Sequence, residues 1–251
     1  MVKSGSTIRL WFLKSCNLFK KAIFRSLFFL LIHNSLYSII IPVFNEVQSV
    51  PKLINSIKKY SDHDIIIIDD GSTDGTYEIL SRYNFIRVFR IEKNKGKGYA
   101  IKWGLKQVKN NLIIIFDGDT ELDHSEIKKL MILDQNKDVR CVFASRYKKP
   151  YKLKNAWDIG NIIFTIIFNS IHNTEIEDAL CCAKAFFLSD VNIESLRSNK
   201  FDIDVELASK LIKKNVKIKT VKISYNRRGK TDGKKLKMID GFKILKRIIS
   251  Y

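Results

Sequence analysis

Leu112-Ile113-Ile114-Ile115-Phe116-Asp117-Gly118-Asp119 decides the fold of this chain. Five apolar residues run directly into two carboxylates spaced i, i+2. A short continuous apolar run rich in β-branched residues is a strand covered on both faces. Two carboxylates at its end can present hard oxygens to one divalent ion. Working outward, the same pattern occurs twice upstream. Ser38-Ile39-Ile40-Ile41-Pro42-Val43-Phe44 leads to Asn45-Glu46, and Ile65-Ile66-Ile67-Ile68 leads to Asp69-Asp70. Between the strands, Val50, Leu53, Ile54 and Ile57 give Val47 to Tyr60 a helical period. Gly71 to Gly75 is a turn into a helix near Thr76 to Tyr83. Ile86 to Ile91 reads as a further strand, and Gly98 to Lys109 as a helix. Strands alternating with helices predict a doubly wound α/β fold with a mostly parallel central sheet. Ligands bind at the carboxyl ends of such strands, where all three polar clusters lie.

Downstream, Trp157 to Ile171 and Phe201 to Lys214 have helical spacing. Ala179 to Phe187 and Val216 to Tyr225 read as strands. The last stretch, 236–251, places Leu236, Ile239, Phe242, Leu245 and Ile249 on one helical face, with Lys237, Lys243, Lys246 and Arg247 on another. Residues 37–251 show no clean internal boundary.

The net charge of +19 is unevenly spread over the 251 residues. Residues 1–36 carry six basic side chains and no acidic one, and residues 207–251 carry fifteen basic and two acidic. The intervening body carries 24 of each sign. A neutral body between two basic ends suits an anionic membrane surface, and no nucleic-acid-binding motif is present. Ala22 to Ile32 is about half the length of a spanning helix. Residues 1–36 are expected to form a basic, interfacial amphipathic segment. A short anchor and a helix packed on the core remain the alternatives for residues 8–32. The four cysteines include no C-x-x-C pair, which argues against a zinc or redox site. Cys181 and Cys182, if in a strand, point to opposite faces, so buried free thiols are expected. The four histidines are scattered and read as structural or surface residues.

Several groups are candidates for chemistry. An ion held by Asp117 and Asp119 would keep positions open for the phosphates of a nucleoside diphosphate. Glu121 is a further candidate ligand. Asp69 and Asp70 can accept hydrogen bonds from a base or ribose, or can cap the turn that follows them. Asn94-Lys95-Gly96-Lys97-Gly98 is a glycine-rich loop entering a helix, with Lys97 a candidate for the donor site. It lacks the spacing of a P-loop. Arg146, Arg227, Arg228 and Lys230 can pair with phosphate or lie on a solvated face.

In order along the chain, these motifs resemble the family 2 glycosyltransferases. The nearest subgroup is that of dolichyl- and polyprenyl-phosphate mannosyl- and glucosyltransferases. Ala144-Ser145-Arg146, Gly160-Asn161, Asp178 to Lys184, Phe201 to Leu207 and Tyr225 to Lys230 extend the likeness across 37–251. The resemblance implies a GT-A, Rossmann-like three-layer fold and inverting transfer from a UDP- or GDP-sugar. It implies that Pro42, Asn45, Glu46, Asp69 and Asp70 lie at the nucleotide. It places Asp117 and Asp119 at Mg²⁺ or Mn²⁺, Arg146 and Arg228 at phosphates, and Asp178 at the catalytic carboxylate. The expected acceptor is a polyprenyl or dolichyl phosphate at the cytosolic face of a membrane. The alternative acceptor is a sugar hydroxyl of a glycan or glycolipid. Thr120-Glu121 departs from the family's usual run, which leaves the third ligand open. The Gln-x-x-Arg-Trp box of polymer synthases is absent.

Overall fold

Every residue of strand β1, Tyr37–Val43, is buried. A strand covered on both faces must supply apolar side chains to both, and the isoleucines do so alternately. Ile39 and Ile41 enter one core with Ile65, Ile67 and Ile114, while Ile40 enters the other with Ile66, Ile68, Ile113 and Ile115. These partners lie on β2 (Asp64–Asp69) and β4 (Leu112–Ile115), which flank β1 in parallel. β3 (Arg87–Arg90) extends the parallel sheet beyond β2.

The computed structural model describes residues 36–147, 156–228 and 238–250. The terminal segment expected over 1–36, apart from Leu36, lies outside them. So do Lys230, Leu236 and Lys237. Tyr37–Tyr251 forms one compact unit.

Helix α1 (Val50–Ile57) covers the first face through Val50, Leu53, Ile54 and Ile57, with a 3-10 turn at His124–Leu130 beside it. α2 (Thr76–Leu80) is a short helix after the Gly71–Gly75 turn. The second face is covered by α3 (Lys97–Leu105), α4 (Ala156–His172), α5 (Ile203–Lys213) and α6 (Met238–Ile249). Ala100, Phe168, Leu207 and Ile248 are among their buried contributions.

The seven-stranded sheet has the order β3-β2-β1-β4-β6-β5-β7. β5 (Cys141–Ser145) and β7 (Ile218–Lys222) pair in parallel. β6 (Lys184–Phe187) is antiparallel to both β4 and β5. The sheet is therefore mixed, with the parallel strands in the majority.

The expected strand Ala179–Phe187 is a strand only from Lys184. Asp178 to Cys182 lies outside the strand, so Cys181 and Cys182 do not alternate across the sheet. Both are nonetheless buried free thiols. The buried Lys184 ammonium donates to the Cys181 carbonyl and lies 5.1 Å from the Phe143 ring centre.

Candidate active site

Because β1, β2 and β4 run parallel, with Val43 beside Asp69 and Ile40 beside Ile115, their carboxyl ends open on the same side. A cavity of about 650 Å³ lies there, lined among others by Pro42, Glu46, Asp70, Asp117, Asp119 and Glu121. Gly118 sits between the carboxylates for a steric reason. A Cβ there would stand 2.5 Å from Val43 Cγ1 and 3.2 Å from the Pro42 carbonyl oxygen. Glycine lets the acidic turn lie against the end of β1, and the Gly118 N–H donates to that carbonyl at 3.3 Å.

The acidic turn is short of positive charge. Lys97 donates to Asp117 Oδ2 at 2.9 Å, while Asp117 Oδ1 is buried with no hydrogen-bond partner among the described residues. Burial, together with the charges of Asp117 and Glu121, pushes the Asp119 carboxyl up to about 7. An unpartnered buried oxygen and a carboxylate whose charge is disfavoured both fit a divalent cation as partner. Among the described residues no three ligating side chains form a complete ion cage. Asp117 and Asp119 could hold a divalent cation only with other oxygens completing the shell. Glu121 Oε1 already accepts from the Arg228 N–H at 3.1 Å. Beneath the turn lies His124, buried, with Nε2 2.7 Å from the Asp117 carbonyl oxygen. Burial lowers its pKa to about 4, so it is a neutral structural donor.

The late arginines reach this turn because residues 224–228 run alongside 121–126. Leu122 and Tyr225 form a bridge, and the Asn226 N–H donates to the Glu121 carbonyl at 2.8 Å. Arg228 then donates to Glu46 Oε2 at 2.6 Å, to Ser49 Oγ at 3.0 Å and to the Asp119 carbonyl. Arg227 is held by Asp158 at 2.8 Å, and its Nε is buried without a partner among the described residues. The Arg146 and Arg227 guanidiniums each lie 5.4 Å from the Tyr225 ring centre. All three arginines line the cavity.

Three expected site residues are set back from the cavity wall. Asp178 is 1% exposed, and its two oxygens receive Arg146 Nε and Nη2, each at 2.8 Å. Asp178 Oδ2 also accepts the Arg146 N–H at 3.1 Å. Asp178 thus fixes Arg146 in place. Asp69 is fully buried and accepts from the Ser72 N–H and hydroxyl, so the capping role prevails there. Asn45 accepts from the Thr73 N–H at 2.9 Å. It ties the ends of β1 and β2 together. Asp70 does line the cavity, and its oxygens receive the N–H groups of Lys95 (2.9 Å) and Gly96 (2.7 Å).

The glycine-rich loop is explained by packing. A Cβ on Gly98 would stand 2.6 Å from the Ser198 carbonyl oxygen. Gly96 has φ +107°, which favours glycine. Glu206 anchors the facing loop by accepting the N–H groups of Arg197 and Ser198. Sequence reasoning did not single out Asp204, Lys200, Tyr225 or Lys243 as lining residues. Asp204 lies in the Phe201 to Leu207 stretch that extends the family likeness, and it is an acid in the first turn of α5.

The profile of Glycosyl transferase family 2 matches residues 38–193. UDP-N-acetylglucosamine--dolichyl-phosphate N-acetylglucosaminyltransferase of Methanococcus voltae is 27% identical over 246 residues, covering 86% of this chain and 96% of that protein. Dolichyl-phosphate beta-glucosyltransferase of Dictyostelium discoideum is 27% identical over 234 residues, covering 82% of this chain and 70% of that one. The crystal structure of glucosyl-3-phosphoglycerate synthase from Mycobacterium tuberculosis, in complex with Mn²⁺, UDP and phosphoglyceric acid, superimposes with a TM-score of 0.66. It has 16% identity, and the match covers 87% of this chain and 78% of that one. The fold is therefore of the GT-A type. The chain belongs to glycosyl transferase family 2.

Proposed function

We propose that this chain is an inverting glycosyltransferase that moves a sugar from a UDP- or GDP-sugar to a polyprenyl or dolichyl phosphate, using Mg²⁺ or Mn²⁺. One observation carries the reading: a single cavity holds both the Asp117–Asp119 turn and the guanidiniums of Arg146, Arg227 and Arg228. That suits two phosphate-bearing substrates meeting in one place. The names of the Methanococcus and Dictyostelium relatives support a dolichyl-phosphate acceptor.

The chemistry is a single displacement. The acceptor phosphate oxygen attacks the anomeric carbon, a new C–O bond forms, and the bond to the nucleoside diphosphate breaks. A divalent ion at Asp117 and Asp119 would neutralise charge on the leaving diphosphate. Arg146, positioned by Asp178, and Arg227 would orient the acceptor phosphate. A phosphate monoester is already ionised near neutral pH, so the attack needs no general base. Both Asp178 oxygens are engaged by Arg146, which weighs against the sugar-hydroxyl alternative, where a free base would be required.

The membrane surface belongs to the same reading. No helix among the described residues is long and apolar enough to cross a membrane. α4 nevertheless exposes Ile159, Ile163 and Ile166 at 45%, 47% and 58%, spaced to share one face. Trp157 and Asn161 of the same helix line the cavity. Such a face, with lysines on α6, suits shallow docking on the anionic cytosolic leaflet.

A thermal-shift screen of nucleotide sugars tests the donor half. One UDP- or GDP-sugar should raise Tm in the presence of Mn²⁺, by mass action. No shift with any of them at millimolar concentration would reject the reading.

A further inference from the structure

Lys97 occupies a position that helix electrostatics disfavours. It is the first residue of α3, and the positive end of a helix repels a cation there. Its side chain is only 10% exposed. Its ammonium lies 2.9 Å from Asp117 Oδ2 and 2.8 Å from Asp204 Oδ2. The two distances are nearly equal, so the cation is shared between an acid of the metal turn and an acid of α5.

This sharing poses a problem and solves it. An ammonium 2.9 Å from a metal-ligating carboxylate fixes that carboxylate but repels a divalent ion. A second carboxylate on the same ammonium cancels the repulsion and leaves the orientation. Asp117 Oδ1, the oxygen not held by Lys97, is the buried one without a partner among the described residues. It is the oxygen a divalent ion would use.

We propose that Lys97 and Asp204 form a charge-neutral positioning pair that turns Asp117 Oδ1 toward the divalent ion without weakening its attraction for the metal. The inference rests on the metal reading given under Proposed function, and it assigns a role to Asp204 that neither the strand ends nor the carboxylate turn suggests. Supporting partners of metal ligands typically change affinity about 10- to 100-fold when removed.

The test is Mn²⁺ binding to the full chain, with the metal alone as probe, followed by electron paramagnetic resonance. Asp204→Asn leaves an uncompensated ammonium beside Asp117, so Kd should rise at least about tenfold. Lys97→Met leaves an extra carboxylate near the ion, so Kd should fall below that of the wild type. The double variant restores the neutral charge but not the orientation, so its Kd should lie between those of the wild type and Asp204→Asn. This order of affinities distinguishes the pair from a merely structural contact, for which both single changes weaken binding. If Asp204→Asn does not fold, the sign of the Lys97→Met effect decides by itself. Unchanged affinity in Asp204→Asn, or weaker binding in Lys97→Met, would overturn the pair. A wild type that binds no Mn²⁺ at all would overturn the metal reading, and the pair with it.

Discussion

Single carboxylates in this chain take their roles from their surroundings. Asp69 and Asp70 are neighbours in sequence, yet one caps a turn in the core and the other lines the cavity. Asp117 and Asp119 were legible as a site because three strand ends carry polar clusters to one edge. Asp178 was legible as an important acid, but its engagement was not. The partner, Arg146, lies 32 positions away and meets it only through the irregular run before β6. If Asp178 positions Arg146, Asp178→Asn should raise the acceptor KM and lower kcat less than about a hundredfold. Loss of a general base typically costs about 10²- to 10⁴-fold. A collapse of kcat with KM unchanged would make Asp178 the base instead.

His124 gives a pH signature at the same scale. Its folded pKa of about 4 lies below the unfolded value of about 6.5. The unfolded chain therefore takes up a proton that the folded one refuses. This contribution is fully present above about pH 6.5 and is lost as the pH falls toward 4, by about 3 kcal/mol at most. Urea midpoints at pH 7.5 and pH 5 should diverge in the wild type. They should diverge less in His124→Gln, and equal divergence in both would remove His124 as the cause.

Among the elements, the strands were the easiest to read, since isoleucine runs admit little else. The terminal helix carries two apolar stripes. Phe242 and Ile249, on the face read from the sequence as that of a basic amphipathic helix, are 74% and 62% exposed. Ile244 and Ile248 enter the core. Both stripes are spaced for a helix, so spacing alone cannot say which one meets the sheet. β5 was noticed mainly for the Arg146 at its end, and β6 was read too long. In that region, tertiary contacts to Arg146 override the local preference for strand. α4 carries the element-scale prediction. The full chain should sediment with anionic vesicles, and replacing Ile159, Ile163 and Ile166 by serine should reduce the bound fraction several-fold without changing the Tm shift given by the donor. Each side chain contributes about 1.5–3 kcal/mol at full burial, and less on shallow insertion. Undiminished vesicle binding would exclude this face.

For the whole molecule, parallel strand ends bring carboxylates and a turn from the first half to the arginines of the second. The zipper between 121–126 and 224–228 joins the two halves at the acidic turn. That long-range pairing was invisible in the sequence, which marked the arginines as candidates for phosphate but not their place beside the acidic turn. The central claim is transfer of a sugar to a lipid phosphate, and the most direct measurement of it uses labelled donor. With Mn²⁺ and the donor that shifts Tm, the chain should produce dolichyl-phosphate-linked sugar from dolichyl phosphate, none from dolichol, and none in Asp119→Ala. Labelling of dolichol or of a free glycan hydroxyl in place of the phosphate, or full activity in Asp119→Ala, would contradict it.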